Sequence, residues 1–189
     1  TYTPVKDFSI SAAELKLRYA PNEKFFQTQW NRFPVSLDAP VFTLSHTIAG
    51  KGVLGSDYTY NHTEAGIQKR FWFSAFGYTD VILKAGKVWD KVPFPLLIMP
   101  NANLYTIQPE SYSLMNAMEF MNDEYFSWDV TYFLNGWLFN RVPLLKKLKW
   151  REIVSCRGLY GHLSDKNNPA LSDGLFAFPI ENTQTMGKT

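Results

Sequence analysis

The sequence predicts an all-β protein built from long antiparallel strands. Apolar and polar residues alternate with a period of two in several segments, helical periodicity is scarce, and aromatic residues make up 16% of the 189 residues. Aromatic rings pack well on a pleated surface and favour strands. They also suit a membrane interface, where a ring has one apolar and one hydrated side. A soluble, aromatic-rich β-sandwich is the alternative that composition leaves open.

The clearest alternating segment is 125–139, YFSWDVTYFLNGWLF. Its even positions are apolar except for one glycine, and its odd positions are largely polar, so the two sides of this strand meet different environments. Ten or more residues exceed the usual globular strand of about 5–6 residues and match a membrane-spanning strand. We therefore expect one side of the sheet to face lipid. The residues assigned to that side are Phe126, Trp128, Val130, Tyr132, Leu134, Leu138, Val81 and Leu83.

Other alternating segments predict further strands, about seven in all. They lie at 13–19, 41–49, 63–73, 79–89 and 150–160, and the pattern at 112–121 is ambiguous. A change of parity at Phe8 and Ile10 predicts a bulge near Ala12. Short turns are expected at 50–56, 73–78 and 122–124, and long connections at 20–40, 90–111 and after 163.

The opposite side of these strands carries charges of both signs. Arg or Lys at the middle of a bilayer costs about 2–4 kcal/mol, so these side chains do not face lipid. In a barrel they line the interior and pair across it, whereas in a soluble sandwich they form a solvated outer face. The residues assigned to a barrel lumen are Glu14, Lys16, Arg18, Asp80, Lys84, Asp129, Arg151 and Arg157.

Two connections resemble each other: KVPFPLL at 91–97 and RVPLLKKL at 141–148. With two further strands counted between them, both fall on the same edge of the predicted sheet. Two interpretations are open. The segments either dip into a membrane interface or pack as ordinary hydrophobic loop plugs.

Composition excludes several classes of protein. A net charge of +2 argues against nucleic-acid binding, which needs a basic face. Cys156 is the only cysteine, so no internal disulfide or CxxC metal site can form. The start of the chain shows no signal peptide, and we expect a mature form or a piece of a longer chain. The longest apolar run, 92–100, is too short and too proline-rich for a transmembrane helix.

No motif predicts a catalytic, cofactor or metal site, and no cofactor is expected. His62 and Glu64 share one strand side, which is the one pairing that suggests a metal site, and a lumen hydrogen bond is the favoured explanation of it. A hydrolase at a barrel mouth would need Asp80 or Asp129 within hydrogen-bond reach of His162, which the spacing does not indicate.

Three blocks of the sequence resemble an uncharacterised family of Bacteroidota outer-membrane proteins. The blocks are FGYTDVILKAGKVWDKVPFPLL, PNANLYTIQPESYSLMNAMEF and LFNRVPLLKKLKWREIVSCRGLYGHLSDKNNP, and the resemblance covers most of residues 8–169. Members carry a carboxypeptidase-regulatory-like domain followed by a C-terminal β-barrel. The barrel is also distantly similar to the BamA/TamA surface-antigen group, by analogy only.

The resemblance implies that residues 1–189 are part of a C-terminal outer-membrane β-barrel domain. It implies that the N-terminal domain and the final strands are absent, so that this chain supplies about seven strands of a larger barrel. It also implies an orientation, with 164–188 outside and both Val-Pro-containing connections at the periplasmic rim. The expected location is the outer membrane of a Gram-negative bacterium. The expected partners are the lipid bilayer and other outer-membrane or periplasmic proteins.

Three functions compete at this point. The first is a non-enzymatic outer-membrane barrel used for assembly, export or scaffolding of envelope proteins. The second is a soluble all-β module that binds glycans through its exposed tryptophans, and the third is the barrel-mouth hydrolase. The tryptophans of the second hypothesis are Trp30, Trp72, Trp89 and Trp137.

Overall fold

The computed structural model of the chain describes residues 7–36, 38–102, 111–112, 115–116, 118–178 and 184–185. Its main feature is one six-stranded sheet in the order β1-β4-β5-β6-β8-β9. Every neighbouring pair in this sheet is antiparallel. The six strands are β1 (Ala13–Tyr19), β4 (Val41–Ala49), β5 (Tyr60–Trp72), β6 (Tyr78–Val88), β8 (Glu124–Phe133) and β9 (Ile153–His162).

Four shorter strands lie outside this sheet. β2 (Phe25–Gln27) and β3 (Arg32–Pro34) form a small antiparallel hairpin between β1 and β4. β7 (Phe120–Met121) pairs in parallel with β10 (Gln184–Thr185). The one α-helix of the described residues, α1 (Pro143–Leu148), is six residues long. No described helix has the length and apolar character needed to cross a membrane.

The alternating pattern predicted the long strands well. Segments 13–19 and 41–49 match β1 and β4 at both ends, and four other predicted strands are confirmed with shifted ends. The prediction of a bulge near Ala12 is wrong, because β1 begins at Ala13 and pairs with β4 in unbroken register. The ambiguous segment 112–121 does not supply a seventh long strand, since its described residues include only β7 and isolated bridges.

Because the sheet has six long strands and not seven, the two similar connections, 91–97 and 141–148, do not lie where the sequence predicted. β6 runs towards the place where β8 begins, because Lys87 pairs with Glu124. We call this edge, with Val88, Glu124 and His162, the Glu124 end, and the opposite edge, with Tyr78, Phe133 and Ile153, the Phe133 end. Segment 91–97 follows β6 at the Glu124 end, whereas 141–148 follows β8 at the Phe133 end. The expectation that both lie on one rim is therefore wrong.

The buried core sits at the Glu124 end and is made largely of connections. Val88, Val92, Leu97, Met121 and Leu163 form its buried cluster. Polar contacts join the connections around this core. The Asn167 side chain donates to Asp123 Oδ2 at 2.9 Å and accepts a hydrogen bond from the backbone N–H of Val92 at 2.9 Å. Segment 91–97 thus follows the loop-packing interpretation. Segment 141–148 does not, because Val142, Leu144 and Leu148 are exposed.

Candidate functional site

The candidate functional site is the pair of faces of the six-stranded sheet. The register places the odd-numbered residues of β1, β5 and β6 on the same face as the even-numbered residues of β4, β8 and β9. We call this the apolar face and the other the polar face. The names follow from the side chains each carries.

Much of the apolar face is open to the surroundings among the described residues. Its strands make their contacts mainly with their hydrogen-bonded neighbours. Large side chains are left in contact with the surroundings: Leu15 is 63% exposed and Tyr160 is 61% exposed. Soluble monomers rarely leave so large an apolar surface uncovered, so this face marks a site of interaction.

Most residues predicted to face lipid lie on the apolar face. Whether that face meets lipid stays a prediction. Two of the predicted residues are wrong as strand positions, Leu134 and Leu138, because β8 ends at Phe133. Asn135 and Gly136 then take positive φ values of 54° and 83°, which turn the chain out of the strand. The residues found on the apolar face are Phe126, Trp128, Val130, Tyr132, Val81 and Leu83.

Most residues predicted to line a lumen lie together on the polar face. Arg151 is the exception, because it precedes β9 and belongs to an exposed connection. That the polar face encloses a bore stays a prediction. The residues found on the polar face are Glu14, Lys16, Arg18, Asp80, Lys84, Asp129 and Arg157.

Cross-strand ion pairs hold the polar face together. The Arg70 guanidinium donates to both carboxylate oxygens of Asp80, at 2.6 and 2.7 Å. Arg157 Nε donates to Asp129 Oδ2 at 2.7 Å. Both pairs join residues directly opposite each other on neighbouring strands, where opposite charges stabilise the sheet. Two-pronged arginine–carboxylate contacts also fix the side-chain geometry.

A third contact spans two strand spacings on the polar face. The Tyr125 hydroxyl donates to Glu64 Oε2 at 2.6 Å, although β6 lies between β8 and β5. Gly86 on β6 makes this reach possible, because a Cβ at that position would lie 2.4 Å from the Tyr125 ring. Sequence reasoning missed this Glu64–Gly86–Tyr125 row, since only strand pairing brings the three residues into line. The one available signal was the glycine inside a strand pattern.

The described part of the connection between β6 and β8 lies over part of the polar face. Ile98 bridges to Asn122, and Ala102 bridges to Tyr112. Arg157 Nη1 donates to the Ser111 carbonyl oxygen at 3.1 Å, which anchors the connection near the middle of edge strand β9. Between this connection and the strands lies a half-open cavity of about 470 Å³, whose lining includes Glu64, Lys84, Tyr125 and Asp129.

The residues suggested for the other chemistries do not come together. His162 lies on the apolar face, whereas Asp80 and Asp129 lie on the polar face and pair with arginines. His62 and Glu64 share the polar face, but among the described residues no group of three or more His, Cys, Asp or Glu could hold a metal ion.

The tryptophans do not form one binding patch either. Trp89 follows β6 at the Glu124 end, while Trp72 and Trp137 lie at the Phe133 end. Trp30 lies in the β2–β3 turn and is 85% exposed. A glycan platform made of these four rings is therefore absent from the described residues.

Glu152 organises the connection at the Phe133 end. Its carboxylate accepts a hydrogen bond from the backbone N–H of Phe139, and its carbonyl oxygen accepts one from Leu134 at 3.1 Å. Burial alone would raise the pKa of this carboxyl, but backbone hydrogen bonds, first that of Phe139, outweigh burial and hold the pKa below its usual value.

We expect the segment 134–142 to loosen at acid pH. A lowered folded-state pKa means that the Glu152 carboxylate stabilises the connection above its ordinary pKa of about 4.3, and that this contribution is lost as pH falls through the lowered value. Hydrogen exchange of the Phe139 amide, corrected for the intrinsic effect of pH, should accelerate below pH about 4. The Glu152→Gln variant should lack this step, and an unchanged step in that variant would contradict the assignment.

Comparison with known proteins gives one match. The model of a family of unknown function, described as the DUF5686 C-terminal domain, matches residues 1–167. No curated protein and no solved structure matches the chain significantly. The match spans most of the chain and agrees with the resemblance to an uncharacterised family. The chain therefore belongs to the DUF5686 family and carries its C-terminal domain.

Proposed function

We propose that this chain forms part of an outer-membrane β-barrel without enzymatic activity, which serves the assembly, export or scaffolding of envelope proteins. The proposal includes a Gram-negative, Bacteroidota source and a distant relation to BamA/TamA-type surface-antigen barrels. The observation that carries it is the largely exposed apolar face backed by an ion-paired polar face. A membrane barrel needs this combination, with lipid outside and a polar interior.

The position of the apolar residues along the strands supports the proposal. The apolar residues of β4 on this face run from Phe42 to Ile48, with His46 as the one polar side chain between them. The β5 partners of Phe42 and Ile48 are Ile67 and Asn61. The stretch of β8 runs from Phe126 to Tyr132, which align through β6 with Ala65 and Phe71 of β5. Relative to the apolar stretch of β4, both ends of the apolar stretch of β8 are thus displaced along the strand direction by about four residues, or about 13 Å.

This displacement accumulates over three strand spacings of about 4.8 Å each, or about 14 Å. An apolar band of constant height would therefore cross the strands at about 40–45° from their perpendicular. Strands of membrane barrels tilt by about 35–45° from the membrane normal, which produces such an offset. The charged residues on this face, Lys69, Lys87 and Glu124, fall at the borders of the displaced band and not within it.

The edges of the sheet also support a larger closed structure. β1 and β9 are the edge strands, and no described strand pairs with their outer sides. In lipid, each unpaired backbone group costs several kcal/mol, so both edges would have to pair with further strands. Six strands are fewer than the eight of the smallest bacterial barrels. Additional strands of the same barrel are therefore part of the proposal.

Cys156 provides a direct test, because it is an exposed cysteine on the apolar face. In lipid vesicles, a water-soluble maleimide should label it at least tenfold more slowly than it labels Ser155→Cys in a Cys156→Ser background. Ser155 is the matched control, since it neighbours Cys156 and is exposed on the polar face. Both thiols should react fully after denaturation.

Equal labelling of the two cysteines in vesicles would refute the lipid assignment. Protection of Cys156 in plain buffer without lipid or detergent would favour burial within a soluble assembly instead. This experiment tests the membrane location only. The role in envelope assembly or export is tested separately by depleting the protein and measuring the abundance of other outer-membrane proteins.

A further inference from the structure

The two ends of the sheet carry opposite charge. The connection 134–152, which we call the basic rim, lies at the Phe133 end and contains five basic residues and one acidic residue. The acidic residue is Glu152, which is already engaged by the Phe139 amide. The described residues of the connections at the Glu124 end, 50–59, 89–102, 111–112, 115–116, 118–123 and 163–178, together contain six acidic and three basic residues. The basic residues of the rim are Arg141, Lys146, Lys147, Lys149 and Arg151.

The basic rim also exposes apolar side chains. Leu144 and Leu148 are 71% and 50% exposed and stand four residues apart on α1, so they share one side of the helix. Trp150 follows and is exposed as well. Lysines next to exposed leucines and a tryptophan are the combination found in segments that lie at a membrane surface.

Aromatic contacts connect the basic rim to the apolar face. Tyr132, on the apolar face, makes an edge contact with Phe73, and its hydroxyl donates to the Phe76 carbonyl oxygen at 2.8 Å. Phe76 contacts the Trp137 ring edge-on, with centroids 5.5 Å apart. The Arg141 guanidinium stacks over Trp137 at 4.5 Å. The surface therefore changes continuously from apolar to aromatic to basic, the order of layers that a bilayer leaflet presents.

We infer that the basic rim binds the headgroups of anionic phospholipids. This inference rests on the proposed membrane location of the apolar face and adds the lipid class that one end of the barrel selects. Each basic side chain near an anionic membrane surface strengthens attraction about fivefold. Five such residues within eleven positions therefore select for anionic lipid, and the exposed leucines add contact with the acyl region.

The arrangement fits a lipid surface better than a soluble phosphate. The lysines extend from one short helix and its end, and the side-chain Nζ of none of the three donates a hydrogen bond to a described residue. Flexible lysines act as point charges spread over a surface, whereas a phosphate pocket requires converging donors. The neighbouring apolar side chains would have no role in binding a free anion.

Energy transfer can measure the lipid that surrounds the rim. The protein, with Cys156→Ser and a donor dye on Asn140→Cys, is reconstituted in phosphatidylcholine vesicles. These contain a small fraction of acceptor-labelled phosphatidylglycerol or acceptor-labelled phosphatidylcholine. We expect stronger transfer to the anionic acceptor. The preference should fall at least tenfold in the triple variant Lys146→Gln, Lys147→Gln, Lys149→Gln, and in about 1 M salt.

The matched control removes three charges at the opposite end: Lys51→Gln, Lys91→Gln, Lys166→Gln. It should retain the preference, because the local charge of the rim is unchanged. Equal transfer to both acceptors in the parent protein, or equal loss in both triple variants, would overturn the inference. Reversal by millimolar glycerol phosphate would also overturn it, by showing a soluble-phosphate site.

The two proposals fail in different ways. If Cys156 is labelled freely in vesicles, the membrane location is wrong. If Cys156 is protected but the energy transfer shows no lipid preference, the barrel proposal stands and the lipid-selective rim is wrong.

Discussion

Val130→Lys is expected to lower the free energy of unfolding in lipid vesicles by about 2–4 kcal/mol. Val130 lies near the middle of the apolar stretch of β8, between Trp128 and Tyr132. If this face meets hydrocarbon, the lysine ammonium is placed near the bilayer midplane, where Lys costs that amount in membrane barrels. The measurement is denaturant unfolding of the vesicle-inserted protein, followed by tryptophan fluorescence.

The control for this variant is Thr131→Lys, one residue further along the same strand. Thr131 points to the polar face, where it pairs with Asp80 and its hydroxyl donates to Asp129 at 3.3 Å. A lysine there lies beside two carboxylates that are each already paired with an arginine, and should change stability by less than about 1 kcal/mol. Equal destabilisation by both variants would show that the two faces do not meet different solvents.

Gly77→Ala is expected to cost about 2–4 kcal/mol or to prevent folding of the β5–β6 hairpin. Gly77 has φ 93° and ψ −143°, a conformation that essentially only glycine adopts, and such strain costs about 1–3 kcal/mol. In addition, a Cβ here would lie 1.8 Å from the Phe133 carbonyl oxygen, so the backbone of β8 would have to move. The same unfolding experiment measures the loss.

Gly52→Ala is the control that separates the cost of a positive φ from the cost of the steric clash with Phe133. Gly52 has φ 81°, but a Cβ at this position meets nothing within 4 Å. Its cost should therefore be limited to the left-handed backbone, about 1–2 kcal/mol. If both alanine variants lose the same stability, the close approach of Gly77 to Phe133 does not contribute.

Local sequence pattern was sufficient for the strands and for their sidedness. The period-two pattern predicted the first and last residues of β1 and β4 correctly. Each strand separates apolar from polar side chains, and this separation is visible in the local sequence. The same pattern put Val130 and Asp129 on opposite faces. It failed at Leu134, where alternation continues for several residues after Phe133 but the positive φ of Asn135 and Gly136 turns the chain away.

Tertiary structure decided everything that depends on which strands are neighbours. The Arg70–Asp80 pair and the Glu64–Gly86–Tyr125 row exist only in one register, and no local pattern encodes register between distant segments. The placement of 91–97 and 141–148 depended on the number of strands between them. Because 112–121 forms no long strand, only one strand of the main sheet separates them, and they lie at opposite ends. The sequence by itself determined how each strand divides its surroundings, because side-chain polarity and strand periodicity are local properties. Only the folded sheet determined which charges meet and which connections share a rim, because these are relations between segments far apart in the chain.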